Sequence, residues 1–341
     1  MKYFNNFKAY DTNEVEFELL NNNIPLAVAN GFRRVCIAEI LIPAIREKDI
    51  TTRENTSYLN NGLLENRISL IPLNGYEKYD DVIFKLVVEN TGDEIIDVMT
   101  SHIKFYKAGS EVDCSKYIPN QDILLDHLKQ SEKINLEGVV HVSNHMNDDA
   151  NYSAVSTISY SFKRDEKKVK EELDKIEDEL KKKDYEIRDA DRLYETNKDD
   201  EVSVYNFTLE STGTFTAKDV FTKSCEIIKN KMDIIKEDIK SNANSKVSIN
   251  RADFNLESYD FVILDEDYTF GNIITSYLLK DSRVKFAGYD IPHPLDNKLI
   301  VRTSIDGSNT KEENIKVFID SLDTVSKIID DVEKEWVKVA K

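Results

Sequence analysis

One stretch near the C-terminus constrains this chain more than any other. Ile315, Phe318, Leu322, Val325, Ile329, Val332 and Trp336 step by three and four residues without a break, so they share one side of a long helix. Thr310-Lys311-Glu312-Glu313 just before them is a capping box, whose side chains can satisfy backbone donors left over at a helix start. Leaving so long an apolar stripe in water is unfavourable at roughly 25 cal/mol per Å². It needs a second stripe, and one lies upstream. Thr216-Ala217-Lys218-Asp219 is another capping box, opening a helix to about Ser241 with Val220, Ser224, Ile227, Lys231, Ile235 and Ile239 along one face. The two helices are expected to pair, with Ile227, Ile235 and Ile239 against the C-terminal stripe.

The segments around both helices follow one outline: strand, short helix, strands, then the capped long helix. In the first copy, residues 14–20 alternate charged and apolar side chains, the period of a half-buried strand. Ile24-Pro25 then starts a helix that runs to Ile42 and ends at Pro43. Strand patterns follow at 83–89, 95–99, 102–106, 134–142, 154–162 and 202–209. In the second copy, strands are expected at 259–264, 284–287 and 299–303, with a short helix at 269–279. The polar run 242–248 reads as a linker. The fold class is α+β, one fold present twice as an intramolecular pair. The expected domains are 1–50 with 202–245, a β-rich insert of about 150 residues over 51–201, and a second copy over 246–341.

Residues 163–184 change character. Nine of these 22 residues are basic and nine acidic, and only Val169, Leu173, Ile176 and Leu180 are apolar, at spacings of four, three and four. This predicts one charged helix over 163–192, either a short coiled-coil arm for a partner or a solvated helix resting one stripe on its own domain.

A net charge of −18 repels phosphate backbones and anionic membranes. Little or no direct DNA or RNA contact is expected, and no membrane partner. Met1 to Asn6 carry no apolar run and no stretch approaches the ~18 apolar residues of a span, so an intracellular protein is expected. Cys36, Cys114 and Cys225 are widely separated and read as free thiols in a reducing compartment, without a C-x-x-C pair for zinc.

Three blocks carry a family resemblance: Ala29-Asn30-Gly31-Phe32-Arg33-Arg34, Glu65-Asn66-Arg67-Ile68-Ser69-Leu70-Ile71-Pro72-Leu73, and Phe207 to Gly213. They resemble the α-type assembly subunit of multisubunit RNA polymerases, in particular the third-largest subunit of the eukaryotic enzymes. Leu264 to Asn272 and Phe286 to Leu295 are similar to that subunit's small partner, the eleventh subunit. In this second block the family's His-Thr-Leu-Gly-Asn stands as Tyr268-Thr269-Phe270-Gly271-Asn272. The resemblance covers nearly the whole chain and is weakest over 163–201. It implies a polymerase α-like dimerisation fold in both copies. It also implies a fusion of two normally separate chains, a feature of the polymerases of large nucleocytoplasmic DNA viruses. Host cytoplasm at viral replication sites, and the virion, are then the expected locations.

The resemblance further implies a non-catalytic assembly platform for the largest and second-largest polymerase subunits and for small platform-binding subunits. Asn30, Arg33, Arg34 and Arg67 are the expected docking residues, since guanidinium groups fork carboxylates or carbonyls at rigid interfaces. Glu266, Asp267, Gly271, Asn272, Gly288, Tyr289, Pro292, His293 and Pro294 are expected to be structural. The insert holds only Cys114 where family members carry a cysteine cluster, so no cofactor is expected in this chain; magnesium and zinc belong to partner subunits. Two other readings stand beside this one. The first is a stand-alone adaptor using the charged helix as its arm. The second is a metal-dependent enzyme using Asp265, Glu266 and Asp267, whose acidity equally suits the start of the following helix. No nucleophile, phosphate-loop or zinc motif accompanies them.

Overall fold

The structure, a computed structural model, describes residues 2–241, 245–252, 258–293, 295–307 and 309–340. Two strands open the chain, β1 (Phe4–Ala9) and β2 (Glu14–Leu20), the second alternating half-buried and buried residues as its sequence demands. Helix α1 (Leu26–Ala38) starts directly after Pro25. It stops four residues short of the expected end, and Ile42 and Pro43 instead open β3 (Ile42–Asn55). The reason is Pro43, which drives the residue before it out of the helical region. Its missing N–H is tolerated because β3 is an edge strand.

The insert follows: α2 (Asn61–Ser69), β4 (Val82–Glu89), β5 (Ile96–Met99), β6 (Ile103–Lys107), β7 (Ser110–Val112), α3 (Cys114–Tyr117), β8 (Leu124–Leu128) and β9 (Lys133–Ser143). A five-stranded antiparallel sheet, β3-β9-β4-β6-β7, and a two-stranded ribbon, β5-β8, enclose its own core around Phe84, Phe105, Tyr117 and Leu136.

The chain then returns. Strand β10 (Val155–Phe162) pairs along β11 (Val204–Ser211), and β11 pairs along β2. Residues 155–162 therefore belong to the first dimerisation sheet, not to the insert assigned to 51–201. The first copy is interrupted twice, before β10 and between β10 and β11. The second interruption holds α4 (Glu166–Leu173) and α5 (Glu179–Arg188), two short helices where one long helix was expected. Asp165 and Asp178 each cap a separate start by accepting backbone N–H groups, which breaks the seam. Val169 is buried, but Leu180 is 77% exposed, so the four-residue stripe does not exist as a surface.

Long helix α6 (Ala217–Ser241) completes the first copy. The second runs β12 (Val247–Arg251), β13 (Tyr259–Leu264), α7 (Tyr268–Leu278), β14 (Val284–Asp290), β15 (Lys298–Ile305) and α8 (Lys311–Val339). Of the linker expected at 242–248, residues 242–244 lie outside the described residues, and Val247 and Ser248 open β12. The two sheets have one strand order. β1-β2-β11-β10 corresponds to β12-β13-β15-β14, both antiparallel throughout. The duplication is thus visible in topology as well as in pattern.

Helices α6 and α8 lie antiparallel. Lys229 pairs with Asp330 at 2.5 Å, Lys236 pairs with Asp323, and Trp336 Nε1 donates to the Lys218 carbonyl at 3.0 Å. Phe318, Leu322, Val325, Ile329 and Val332 have no exposed surface and Trp336 almost none; Ile315 is half-buried. On α6 the covered face is Phe221, Cys225, Ile228, Met232, Ile235 and Ile239, with Ile227 half-buried at its margin. The expected face was thus rotated slightly from the true one. Trp336 packs on Phe4, Phe17 and Phe221 with ring centres 4.5 to 5.3 Å apart. The last turns of the second copy therefore sit in the core of the first. Glu335 accepts the backbone N–H groups of Tyr3 and Phe4 at 2.9 and 3.2 Å, tying the first strand to the final helix.

Candidate docking surface at the junction of the two halves

The short helices also meet. A Cβ built on Gly31 of α1 would stand 2.7 Å from Ile273 Cδ1 on α7, so the bare glycine lets the helices approach closely. Next to this crossing, Asp267 caps α7 by accepting the Thr269 N–H at 2.8 Å and the Thr269 hydroxyl at 2.9 Å. Arg34 reaches over from the other copy, with Nε donating to Thr269 Oγ1 at 2.7 Å and Nη2 to Asp267 Oδ2 at 2.9 Å. Burial alone would raise the Asp267 carboxyl. The hydrogen bonds from Arg34 and Thr269 outweigh burial and hold it below the usual carboxylate range.

Arg33 behaves differently. Its Nε donates to Asn30 Oδ1 at 3.0 Å, and it has no ion-pair partner among the described residues. The two adjacent arginines thus differ: Arg34 fastens one half to the other, and half-buried Arg33 bonds within its own helix. Arg67 lies elsewhere, exposed on α2, with Nη2 donating to the Leu124 carbonyl at 2.7 Å.

Below the joint is a charged group that sequence reasoning did not assemble. Lys231 Nζ on α6 lies 2.8 Å from Glu39, just past α1, and 2.8 Å from Glu266, just before α7. The side chains are 19%, 8% and 8% exposed respectively. Two carboxylates share one ammonium, so the site carries a surplus negative charge. Burial drives the Glu266 carboxyl up and Lys231 only partly offsets it. Burial disfavours charged Lys231, but the two glutamates overcome this and leave its affinity for the proton raised. One signal was available in advance, a lysine inside an apolar helix face, which demands a buried anion nearby. Neither Glu39 nor the pairing could be read from spacing. Tyr277, whose hydroxyl donates to the Asn23 carbonyl across the halves at 2.6 Å, was likewise missed.

Asp265, Glu266 and Asp267 turn to three different cations, Lys246 at 3.1 Å, Lys231 and Arg34. They do not converge on one point, and no group of metal-ligating side chains occurs among the described residues. The other motif residues shape the second copy. A Cβ on Gly271 would stand 2.7 Å from the Tyr289 ring and 2.9 Å from Leu299. Asn272 is half-buried on α7, and its carbonyl accepts the Ser276 hydroxyl at 2.7 Å. The Phe286 ring lies over Gly288, 3.1 Å from where a Cβ would be. Pro292 and His293 are exposed; His293 Nδ1 accepts the Leu295 N–H at 3.2 Å, closing a turn. Pro294 lies outside the described residues. Cys36 and Cys225 are free and buried, and burial pushes the Cys36 thiol up to about 12.

Two like-folded halves locked face to face define a pairing module of α+β type. A sequence profile described as the RNA polymerase Rpb3/Rpb11 dimerisation domain matches residues 18–232, and a second of the same description matches 258–335. The chain belongs to this family. Its relatives include the DNA-directed RNA polymerases I and III subunit RPAC1 of Saccharomyces cerevisiae. That protein is 26% identical over 296 residues, which cover 68% of this chain and 86% of the relative. Subunit rpc19 of the RNA polymerases I and III of Dictyostelium discoideum is 35% identical over 69 residues, 20% of this chain and 60% of that protein. A probable RNA polymerase II subunit RPB11 of Caenorhabditis elegans is 40% identical over 62 residues, 18% of this chain and 51% of that protein. The chain spans between half and three-fifths of the length of these last two relatives.

Proposed function

We propose that this protein is a non-catalytic assembly platform of a DNA-directed RNA polymerase, on which the largest and second-largest subunits and small accessory subunits dock. One observation carries the reading. The two long apolar stripes are consumed by each other within a single chain, while Arg33 is left at the junction of the halves without a carboxylate partner among the described residues. A preformed pair meets the ordering cost of dimerisation before large partners arrive. Nucleotide chemistry and its magnesium then belong to those partners, as does any zinc. Both family matches on one chain support a fusion of two ancestral partners and, with it, an origin in a large nucleocytoplasmic DNA virus. Host cytoplasm and the virion are the corresponding locations.

The test is affinity purification of the tagged full chain with its co-eluting subunits. Arg33→Glu should leave the melting curve of the purified chain unchanged and abolish recovery of the large subunits. Arg34→Glu should instead lower stability by opposing Asp267. Undiminished recovery of the complex with Arg33→Glu would remove the docking assignment. The adaptor reading loses support from the break at residues 174–178 between α4 and α5, and the metal-enzyme reading from the divergence of the three carboxylates.

A further inference from the structure

The insert and the paired halves do not share a core. Phe84, Phe105 and Tyr117 belong to one apolar cluster, and Phe17, Phe221 and Trp336 to the other. Bodies joined without a common apolar core turn relative to each other by default. One attachment is the root where β3 leaves α1 and the returning segment bonds back. Met146 N–H donates to the Ala38 carbonyl at 2.9 Å, and Asn144 Nδ2 to the Glu39 carbonyl at 3.1 Å. A second attachment is not made by chain continuity. The insert loop 74–76 lies on the start of α6, roughly 20 Å along that helix from the point where Lys231 meets Glu39. Gly75 N–H donates to the Thr214 carbonyl at 2.9 Å. The Tyr76 hydroxyl donates to Asp219 and accepts the Thr216 N–H at 3.2 Å. Thr216 and Asp219 are the capping box of α6, with Asp219 N–H on Thr216 Oγ1 at 3.2 Å, so the insert supplies a third member of that cap. The Tyr76 ring meets Phe215 edge-on, with centres 5.2 Å apart. A Cβ on Gly75 would overlap the Phe215 ring, so the bare glycine lets the loop lie this close. On the insert side the loop is anchored. Asn74 N–H donates to the Tyr117 carbonyl at 2.9 Å, and the Asn74 carbonyl accepts the Tyr79 hydroxyl at 2.8 Å, both tyrosines being core residues of the insert. Tyr76 itself is 58% exposed, so these partners set its pose and burial does not.

We propose that Tyr76 is a positioning residue, a strap that fixes the angle at which the insert stands on the paired halves. Held at two separated points, the insert cannot turn about its root. Exposed Arg67 on α2 then keeps a constant distance from Arg33 on α1, and a large partner meets one rigid double surface without an ordering cost. That consequence for partners rests on the assembly reading; the angle itself does not.

Double electron–electron resonance on the purified full chain reads the angle as a distance. Spin labels are placed at Ser110→Cys on β7 and Lys327→Cys on α8, both exposed, in a Cys114→Ser background. Cys36 and Cys225 are buried and take no label. The labelled chain should give one narrow distance distribution. Tyr76→Ala removes the strap and Gly75→Leu wedges it off Phe215. Each should replace the narrow distribution with a broad one while the far-ultraviolet circular dichroism stays unchanged. Glu77→Gln, in the same loop, should leave the distribution narrow. A broad distribution in the labelled chain, a narrow one retained by Tyr76→Ala or Gly75→Leu, or equal broadening by Glu77→Gln would overturn the proposal. Recovery of polymerase subunits with Arg33→Glu is a separate measurement, so either reading can fail alone.

Discussion

Lys231 shows how a single buried ammonium can set the energetics of a joint. Replacing it with methionine leaves Glu39 and Glu266 facing each other in a site less than a tenth exposed on the carboxylate side. Breaking such a group by removing one partner typically destabilises by about 3–5 kcal/mol. Lys231→Met should show a loss of that order in urea denaturation at neutral pH. Glu266 also carries a pH consequence. Its carboxyl is raised in the folded protein, so its favourable contribution is complete below the ordinary carboxylate range and is lost as pH rises through the folded value. Glu266→Gln should therefore flatten the decline in melting temperature between about pH 4 and neutrality, by comparison of melts across that range. Asp267 has the opposite sign: its lowered carboxyl contributes above the ordinary range and loses that contribution on acidification. Spacing told the two arginines apart no better than chance. Arg33 and Arg34 are neighbours in sequence, and only the position of α7 decides that Arg34 bonds across to the other half while Arg33 bonds within its own helix.

At the scale of elements, periodicity was the reliable guide. The stripe on α8 is read from the sequence because a helix repeats every 3.6 residues whatever it packs on. Phe318 stacks on Phe261 with ring centres 4.2 Å apart, and Phe318→Ala should cost about 3–5 kcal/mol by thermal or chemical denaturation. Helix α5 makes the contrasting case, because none of its residues is buried. Leu180→Lys and Ile187→Lys should each stay within about 0.5 kcal/mol of the parent. A larger loss would mean that α5 packs on its own domain after all. Gly271 lies between these extremes. A methyl group there meets the Tyr289 ring and Leu299 at under 3 Å, and Gly271→Ala should destabilise by about 1–3 kcal/mol through overpacking. The elements missed in the sequence, β1, β3, α2, β7, α3, β8 and β12, share a cause. They are very short or lack a sustained period of two or 3.6 residues, and contacts with distant parts of the chain override their weak local preference.

For the whole molecule, the consequence of having both copies on one chain is thermodynamic. Pairing of α6 with α8 is intramolecular, so the melting temperature should be independent of protein concentration over a hundredfold range. A pair held between separate chains would melt at rising temperature as concentration rose. The shared strand order of the two sheets makes the pseudo-symmetry plain. The insert and the α4–α5 excursion are additions to one copy that leave its sheet intact.

The amino-acid sequence by itself determined the long helices, their caps, most strands and the need for two stripes to meet. These are local periodicities, and burial of apolar surface forces their pairing wherever the chain goes. Tertiary structure alone decided that β10 belongs to the first sheet, that Arg34 bonds Asp267 from 233 residues away, and that Glu39, Lys231 and Glu266 converge. Hydrogen-bond and ion-pair partners are chosen by proximity in space, which residue spacing along a chain does not encode.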